Sequence, residues 1–288
     1  MEVAVELVRG ERAMPDGKVD DAVGSREHPV TASGRRIGLV LSAGGLRGAA
    51  HLGVLRRLSA AGIRLDVIVG VSAGAVVAAY YAAVGLTMEA LIGDARVLKG
   101  RHLVAHSLAL RSPRWLRPVI ELCAGIIPQR LRQLESSRFG QLRHGISAIG
   151  IVCHDLTHDC ARYLATGAHA SISLYDAVAT SASIPSMFPA RSIEFDGQVC
   201  EFTDGGLSDA LPIDFARGPM LGATHVIASD CRSRRGADEH HDAADLVYVR
   251  PRLDDTHVLR APRASLLEAV AAGEAAVTPD TLERISGW

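Results

Sequence analysis

The sequence predicts a single α/β domain, a three-layer α/β/α sandwich around a mainly parallel central sheet. Two consecutive strand–turn–helix units point to it, RIGLVLSAGGLRGAAHLGVLRRLSAAG and DVIVGVSAGAVVAAYY. Strands that alternate with helices bury both faces of a sheet between helical layers. The third observation is bulk. The chain has 288 residues, 48% hydrophobic and 22% charged, with a formal net charge of −1, the profile of a soluble globular protein with a substantial core. The balanced charge argues against a dedicated nucleic-acid binder.

Taken in order, residues 1–34 read as a flexible leader, because MEVAVELVRGERAMPDGKVDD mixes acids with bases and holds no apolar run of signal-peptide length. The main domain is expected over 35–260. Its first unit has an apolar strand at Ile37–Leu41 and a Gly-rich loop at Ala43–Gly48. A helix follows, with Leu52, Leu55 and Leu58 on one face and its end at Gly62. Glycines 44, 45 and 48 do not make G-x-G-x-x-G, and no acidic residue ends the second strand before Gly70, so a dinucleotide fingerprint fails. No Lys-Ser/Thr follows, so a Walker loop fails too. Such a loop at a helix N-terminus can instead offer backbone N–H groups to an oxyanion, with Arg47 adding positive charge.

The second unit is uncharged from Val67 to Met88, long enough to raise the question of a membrane span. Its richness in Gly, Ala and Ser argues against lipid, and it breaks in two. Val67-Ile68-Val69 is a β-branched run suited to a buried strand, whereas Ala73–Val84 is an Ala-rich helix. Gly85 offers a C-cap, and Thr87 an N-cap for the next helix. Between strand and helix stands Gly70-Val71-Ser72-Ala73-Gly74, a G-x-S-x-G pattern. This spacing mounts a serine on a strained, exposed turn, with glycines where a Cβ would clash and a helix N-terminus aimed at the reaction centre. A plain Gly-Ser turn is the alternative, but the strand before and helix after are what the motif requires.

Residues 87–140 read as mostly helical. Within them, 111–127 place Arg111, Arg114 and Arg117 around Trp115 ahead of an apolar run, which suits a membrane surface or, equally, a half-buried helix with a solvated basic edge. GISAIGIVC is a strand, so His154 and His158 in the HDLTH that follows do not share a zinc-binding helix face and read as surface or hairpin histidines. Ser-Leu-Tyr-Asp opens a helix over Ser173–Ser183 ahead of Pro185. Asp204-Gly205-Gly206 is ordinarily a turn, yet here it ends the apolar stretch Val199–Phe202, which sets a carboxylate at a strand terminus. His225, His240, His241 and His257 follow Asp204 in the order a Ser–acid–His triad needs, but too few strands precede Ser72 for that hydrolase fold. Residues 261–288 form a tail, packed on the domain or trailing it, with one helix at Ala264–Ala276. The five cysteines, Cys123, Cys153, Cys160, Cys200 and Cys231, are scattered without a CxxC pair and fit a reducing cytoplasm.

Taken together, SAGGLRG, GVSAG and the Asp204-Gly205-Gly206 of EFTDGGLSDALPI resemble the patatin-like phospholipase family, over roughly Arg36 to Asp230. HDLTHDCARYLATG and AVATSASIPSMFPA resemble that family's strand-hairpin and Ala-Ser-x-x-x-Pro-x-x-Phe segments. The resemblance implies a lipid acyl hydrolase in which Ser72 is the nucleophile and Asp204 its partner in a dyad. Gly70 and Gly74 then form the elbow, and Gly44, Gly45, Leu46, Arg47 and Gly48 the oxyanion hole. It implies no metal and no organic cofactor, and a lipid substrate met at a membrane periphery. Ala43 departs from the family pattern, where many members have glycine. A catalytically silent lipid- or partner-binding module on the same fold is the other reading.

Overall fold

The computed structural model describes residues 34–168, 172–232, 242–253 and 266–288, so the leader before Gly34 and His240, His241 and His257 lie outside the described residues. The strands are β1 (Ile37–Leu41), β2 (Val67–Val71), β3 (Ala148–Asp155), β4 (Cys160–Ala165), β5 (Arg191–Phe195), β6 (Gln198–Asp204), β7 (His225–Ser229) and β8 (Leu246–Val249). They form one eight-stranded sheet in the order β5-β6-β3-β2-β1-β7-β8, with β4 also paired to β3. The run β3-β2-β1-β7-β8 is parallel throughout, as the two strand–turn–helix units predict.

Alternation along each strand divides the core in two. Ile37, Leu39, Leu41, Ile68, Ile149 and Ile151 face one side, and Val40, Val67, Val69, Val71 and Val152 the other. The first side is covered by helices α1 (Ala50–Ala60), α2 (Ala73–Ala79), α3 (Met88–Val97), α6 (Ile127–Glu135) and α7 (Leu174–Ser181), while α4 (Gly100–Arg111) packs on α6 and α5 (Arg117–Glu121) on α4. The second side, among the described residues, carries the short α8 (Ile213–Arg217) and the loop after it. This thin layer sits close because Gly38 and Gly150 face it. A Cβ at Gly150 would lie 2.6 Å from the Phe215 ring.

The helix predicted over Ala73–Val84 forms, with its last turn, Tyr80–Val84, widened to a π-helix that ends on the left-handed Gly85 at φ 77°. Thr87 caps α3, its hydroxyl accepting the Ala90 N–H, and Ser173 caps α7 in the same way. The tail holds two helices, α9 (Leu266–Ala276) and α10 (Pro279–Ser286), where the sequence suggests one. Thr278 as N-cap and Pro279 in the first turn are the signals for the second.

Helix α9 crosses α1 at backbone contact through two glycines. A Cβ on Gly53 would lie 1.9 Å from the Val270 carbonyl oxygen, and one on Gly273 1.9 Å from that of Ala50. In an open helix Gly→Ala is stabilising by up to ~1 kcal/mol. Here the sign inverts: Gly53→Ala and Gly273→Ala are each expected to destabilise the protein by at least ~2 kcal/mol through overpacking. Denaturant midpoints at constant m check this.

Candidate active site

Residue Ser72 leaves the C-terminal end of β2 at φ 54° and ψ −119°, a region that costs a non-glycine residue ~1–3 kcal/mol. The flanking glycines permit the turn. A Cβ on Gly70 would lie 2.4 Å from the Gly74 carbonyl oxygen, and one on Gly74 2.2 Å from that of Leu41. Helix α2 begins at Ala73, so its N-terminus points at the serine.

Asp204 arrives from the opposite direction. Strand β2 pairs with β3 only as far as Val71↔Val152, while β4 occupies the far edge of β3 from Gly150 to Asp155. Strand β6 therefore runs antiparallel along the edge that β2 has vacated, and its last residue, Asp204, pairs with Cys153, one step beyond Val152. The two strands meet end to end. The Ser72 hydroxyl donates to Asp204 Oδ2 at 2.6 Å, and the Gly206 N–H donates to Oδ1 at 2.8 Å. A Cβ on Gly205 would lie 2.1 Å from the Val152 carbonyl oxygen, so the Asp-Gly-Gly turn can press on β3 only without a side chain there.

Both partners are buried, Ser72 at 3% exposure and Asp204 at 6%. Desolvation raises the Asp204 carboxyl from its usual 3.8 to about 6, against the lowering pull of the Ser72 hydroxyl and the Gly206 N–H. A hydrogen bond to a carboxylate of raised pKa is an arrangement that can activate a hydroxyl as a nucleophile.

Ser72 lines a cavity of about 340 Å³ together with Gly45, Leu46, Gly48 and apolar side chains such as Val76, Leu103 and Leu131. Gly45–Ala49 is a 3₁₀ turn leading into α1, and Gly45 takes the positive φ of 55° that its entry requires. The Arg47 N–H closes on the Gly44 carbonyl. The N–H groups of Gly45 and Leu46 keep no acceptor among the described residues, as first-turn donors do. The Arg47 guanidinium turns to the carbonyls of Cys231 and Arg232, at 3.1 and 3.2 Å, and does not line the cavity. Its charge fastens the loop rather than facing the serine.

The fully buried His51 escaped the sequence reading. One ring nitrogen pairs with the Ser229 hydroxyl at 2.8 Å and the other with the Ser42 carbonyl at 3.0 Å, which roots the glycine loop on the sheet. Burial lowers its pKa to about 4, so the ring is neutral. Another such feature is the Asp94–Arg130 ion pair, bidentate at 2.6 and 2.8 Å in the cavity wall. Nothing in a lone Asp or Arg on a helix signals a partner 36 residues away.

The histidine alternatives separate cleanly. His225 starts β7 opposite Ile37, at the N-terminal edge of the parallel strands, whereas Ser72 follows their C-terminal edge, about 16 Å away along five residues of strand. His154 is buried on β3 against the Ser208 hydroxyl rather than on the surface, and His158 lies in the hairpin turn. Asp155, His158 and Cys200 come within metal-ligand distance of one another. Asp155 Oδ2, however, already takes His158 and Arg162, and Oδ1 takes the N–H groups of Thr157 and His158, so these bonds close the hairpin.

Comparisons with known proteins bear on family and fold. The patatin-like phospholipase family profile matches residues 39–217. Neuropathy target esterase sws of Drosophila melanogaster is 30% identical over 222 residues, 74% of this chain but 14% of that protein. Lysophospholipase nte1 of Aspergillus fumigatus is 53% identical over 49 residues, 17% of this chain and 3% of that one. The chain thus spans a small part of the relatives it matches. The crystal structure of VipD from Legionella pneumophila has a similar fold, with a TM-score of 0.54 at 14% identity, covering 90% of this chain and 69% of that one.

The raised Asp204 pKa has a stability consequence. The unfolded carboxyl ionises first, near 3.8, and the folded one near 6, so stability falls as pH rises between them. The gap corresponds to about 3 kcal/mol. Asp204→Asn is expected to raise stability by up to that amount at pH 8 and to leave it nearly unchanged at pH 4. Denaturant melts at the two pH values test it.

Proposed function

The chain belongs to the patatin-like phospholipase family, and we propose that it hydrolyses acyl esters of lipids through a Ser72–Asp204 dyad and an acyl-serine intermediate. The observation that carries this reading is the 2.6 Å hydrogen bond between the two side chains at the wall of an apolar cavity. Relatives named as an esterase and a lysophospholipase support an acyl ester of a lipid as the substrate class. In the proposed sequence Asp204 takes the Ser72 proton as Oγ attacks the ester carbonyl. The open N–H groups of Gly45 and Leu46 hold the oxyanion, and α2 adds the field of its N-terminus. Asp204 then gives its proton to the leaving alcohol, and as a carboxylate again activates water to release the acid. We take residues 35–260 with the packed tail as the catalytic unit, since Leu266 of α9 lines the cavity.

The lipid-facing surface is proposed at the basic-aromatic stretch 111–127, which runs from the end of α4 through α5 and the turn that follows, and the outward side of α4 continues it. Leu103, His106 and Leu110 of α4 face the cavity, while Val104 and Leu108 on its other side are exposed. Trp115 at 78% exposure, Val119, and Leu122 at 84% extend this outward apolar surface. Arg111 is tied to the Ser186 and Met187 carbonyls and Arg117 to Glu121, which leaves Arg114, unpartnered among the described residues, beside Trp115. Arg meets anionic head groups and Trp favours the interface. No described helix is long and apolar enough to cross a membrane, so the contact proposed is peripheral.

Two sets of measurements test these readings. Ser72→Ala is expected to keep the fold, to lose labelling by a fluorophosphonate probe, and to lose p-nitrophenyl ester hydrolysis. Asp204→Asn is expected to lose most of the rate, and His225→Ala little. Wild-type kcat/KM is expected to fall as pH drops through about 6, where Asp204 protonates. Retained hydrolysis by Ser72→Ala refutes the nucleophile assignment, and a wild-type protein that the probe does not label is a silent binding module. Separately, the double variant Arg114→Ala, Trp115→Ala is expected to bind anionic liposomes more weakly and to hydrolyse vesicle lipid more slowly, with soluble-ester turnover unchanged. Unchanged liposome binding rules out the docking surface.

A further inference from the structure

We propose that Ser181, the last residue of α7, is a positioning residue for the dyad: its hydroxyl sets the backbone of Ser72 and thereby the hydrogen bond from Ser72 to Asp204. This rests on the reading of Ser72 and Asp204 as nucleophile and base. The Ser181 side chain is fully buried, and its Oγ has two partners of opposite kind. It accepts the Ser72 N–H at 2.9 Å and donates to the Val152 carbonyl at 2.6 Å. An amide N–H can only donate and a carbonyl can only accept, so the hydroxyl proton has one orientation.

The place of this bridge gives it a function. Val152 is the last β3 residue paired to β2, and the next, Cys153, is paired to Asp204. Past Val71 the parallel ladder ends, and the Ser72 N–H, deep in the protein, has no strand neighbour to receive it. Ser181 supplies the acceptor and ties it to β3 at the junction of the two strands. At φ 54° and ψ −119° the Ser72 backbone keeps its conformation only where its surroundings hold it. Its carbonyl is held by the Val76 N–H of the following helix, and its N–H by Ser181.

The same helix end holds the second dyad member. The Ser183 carbonyl accepts the Asp204 N–H at 3.2 Å and the Thr203 hydroxyl at 2.9 Å. One three-residue segment, Ser181-Ala182-Ser183, therefore fixes the backbones on both sides of the Ser72–Asp204 bond. Removing the Ser181 hydroxyl frees the Ser72 side and leaves the Asp204 side in place. The bond between them lengthens while the cavity is untouched.

The experiment is steady-state hydrolysis of a soluble p-nitrophenyl ester by Ser181→Ala across pH 5–9, with fluorophosphonate titration of the competent fraction. The expected result is a kcat lower by 10- to 100-fold per competent site with KM within about twofold, the loss of a transition-state interaction. The acid limb is expected to move above about 6, because Asp204 loses the Ser72 hydrogen bond that lowers its pKa. Ser181→Thr, which restores a hydroxyl, is expected to recover both. If Ser181→Ala folds poorly, Ser181→Cys, of similar volume and weak hydrogen bonding, carries the same expectation. A kcat within threefold of wild type overturns the proposal, as does a loss that follows the competent fraction with an unmoved pH midpoint. Ser72→Ala is assayed in parallel, and its retained activity would refute the dyad itself, whatever Ser181→Ala does.

Discussion

Strand β3 outruns its neighbour, and the site follows from that inequality. With β4 on its far edge to Asp155 and β2 stopping at Val71, a short length of its near edge is left over. Unpaired ladder groups inside a protein are costly, so the edge must be filled. Strand β6 fills it from the opposite direction, and two strands that meet head-on on one edge bring their last residues together. A serine and a carboxylate 132 residues apart in the chain become hydrogen-bonded neighbours without any loop having to reach across the sheet.

In the proposed mechanism, electrostatics make a carboxylate usable where an imidazole is more familiar. At its ordinary pKa an aspartate is a weak base for a serine, and burial among apolar groups corrects this by making the charge expensive. The remedy is self-limited. The Ser72 hydroxyl and the Gly206 N–H both stabilise the charge, so the group stays ionised at neutral pH while being a stronger base than a solvated carboxylate. Glycines carry the steric side. Those at 70, 74 and 205 stand where a Cβ would strike a backbone carbonyl.

Local chemistry was legible in the sequence. The β-branched run into Gly70, the Ala-rich helix after Ser72, Gly85 as a left-handed cap and Ser173 as an N-cap are each decided by a few adjacent residues, and the structure has them. The pairing of Ser72 with Asp204 came from family resemblance, because spacing along the chain carries no information on which edge of β3 the strand of Asp204 occupies. The partners of Ser181, His51 and Arg47 were invisible for the same reason. Ser181 and Arg47 bond backbone groups far along the chain and His51 the distant Ser229 hydroxyl, and no letter near any of them names such a partner. The π turn after Ala79 and the separate helix α10 are less legible: a widened turn has no compositional mark, and α10 is a short helix whose Thr-Pro start follows closely on the end of α9.

The crossing of α9 on α1 has a consequence in time. The ribosome delivers Ser72 and Asp204, with the strands β2, β3 and β6 that hold them, by position 204. The wall that Leu266 contributes, and the helix that closes over Gly53, come more than sixty residues later. A nascent chain therefore owns its Ser72–Asp204 pair before it owns the full cavity wall, and the helix that completes that wall fits only because two side chains are missing.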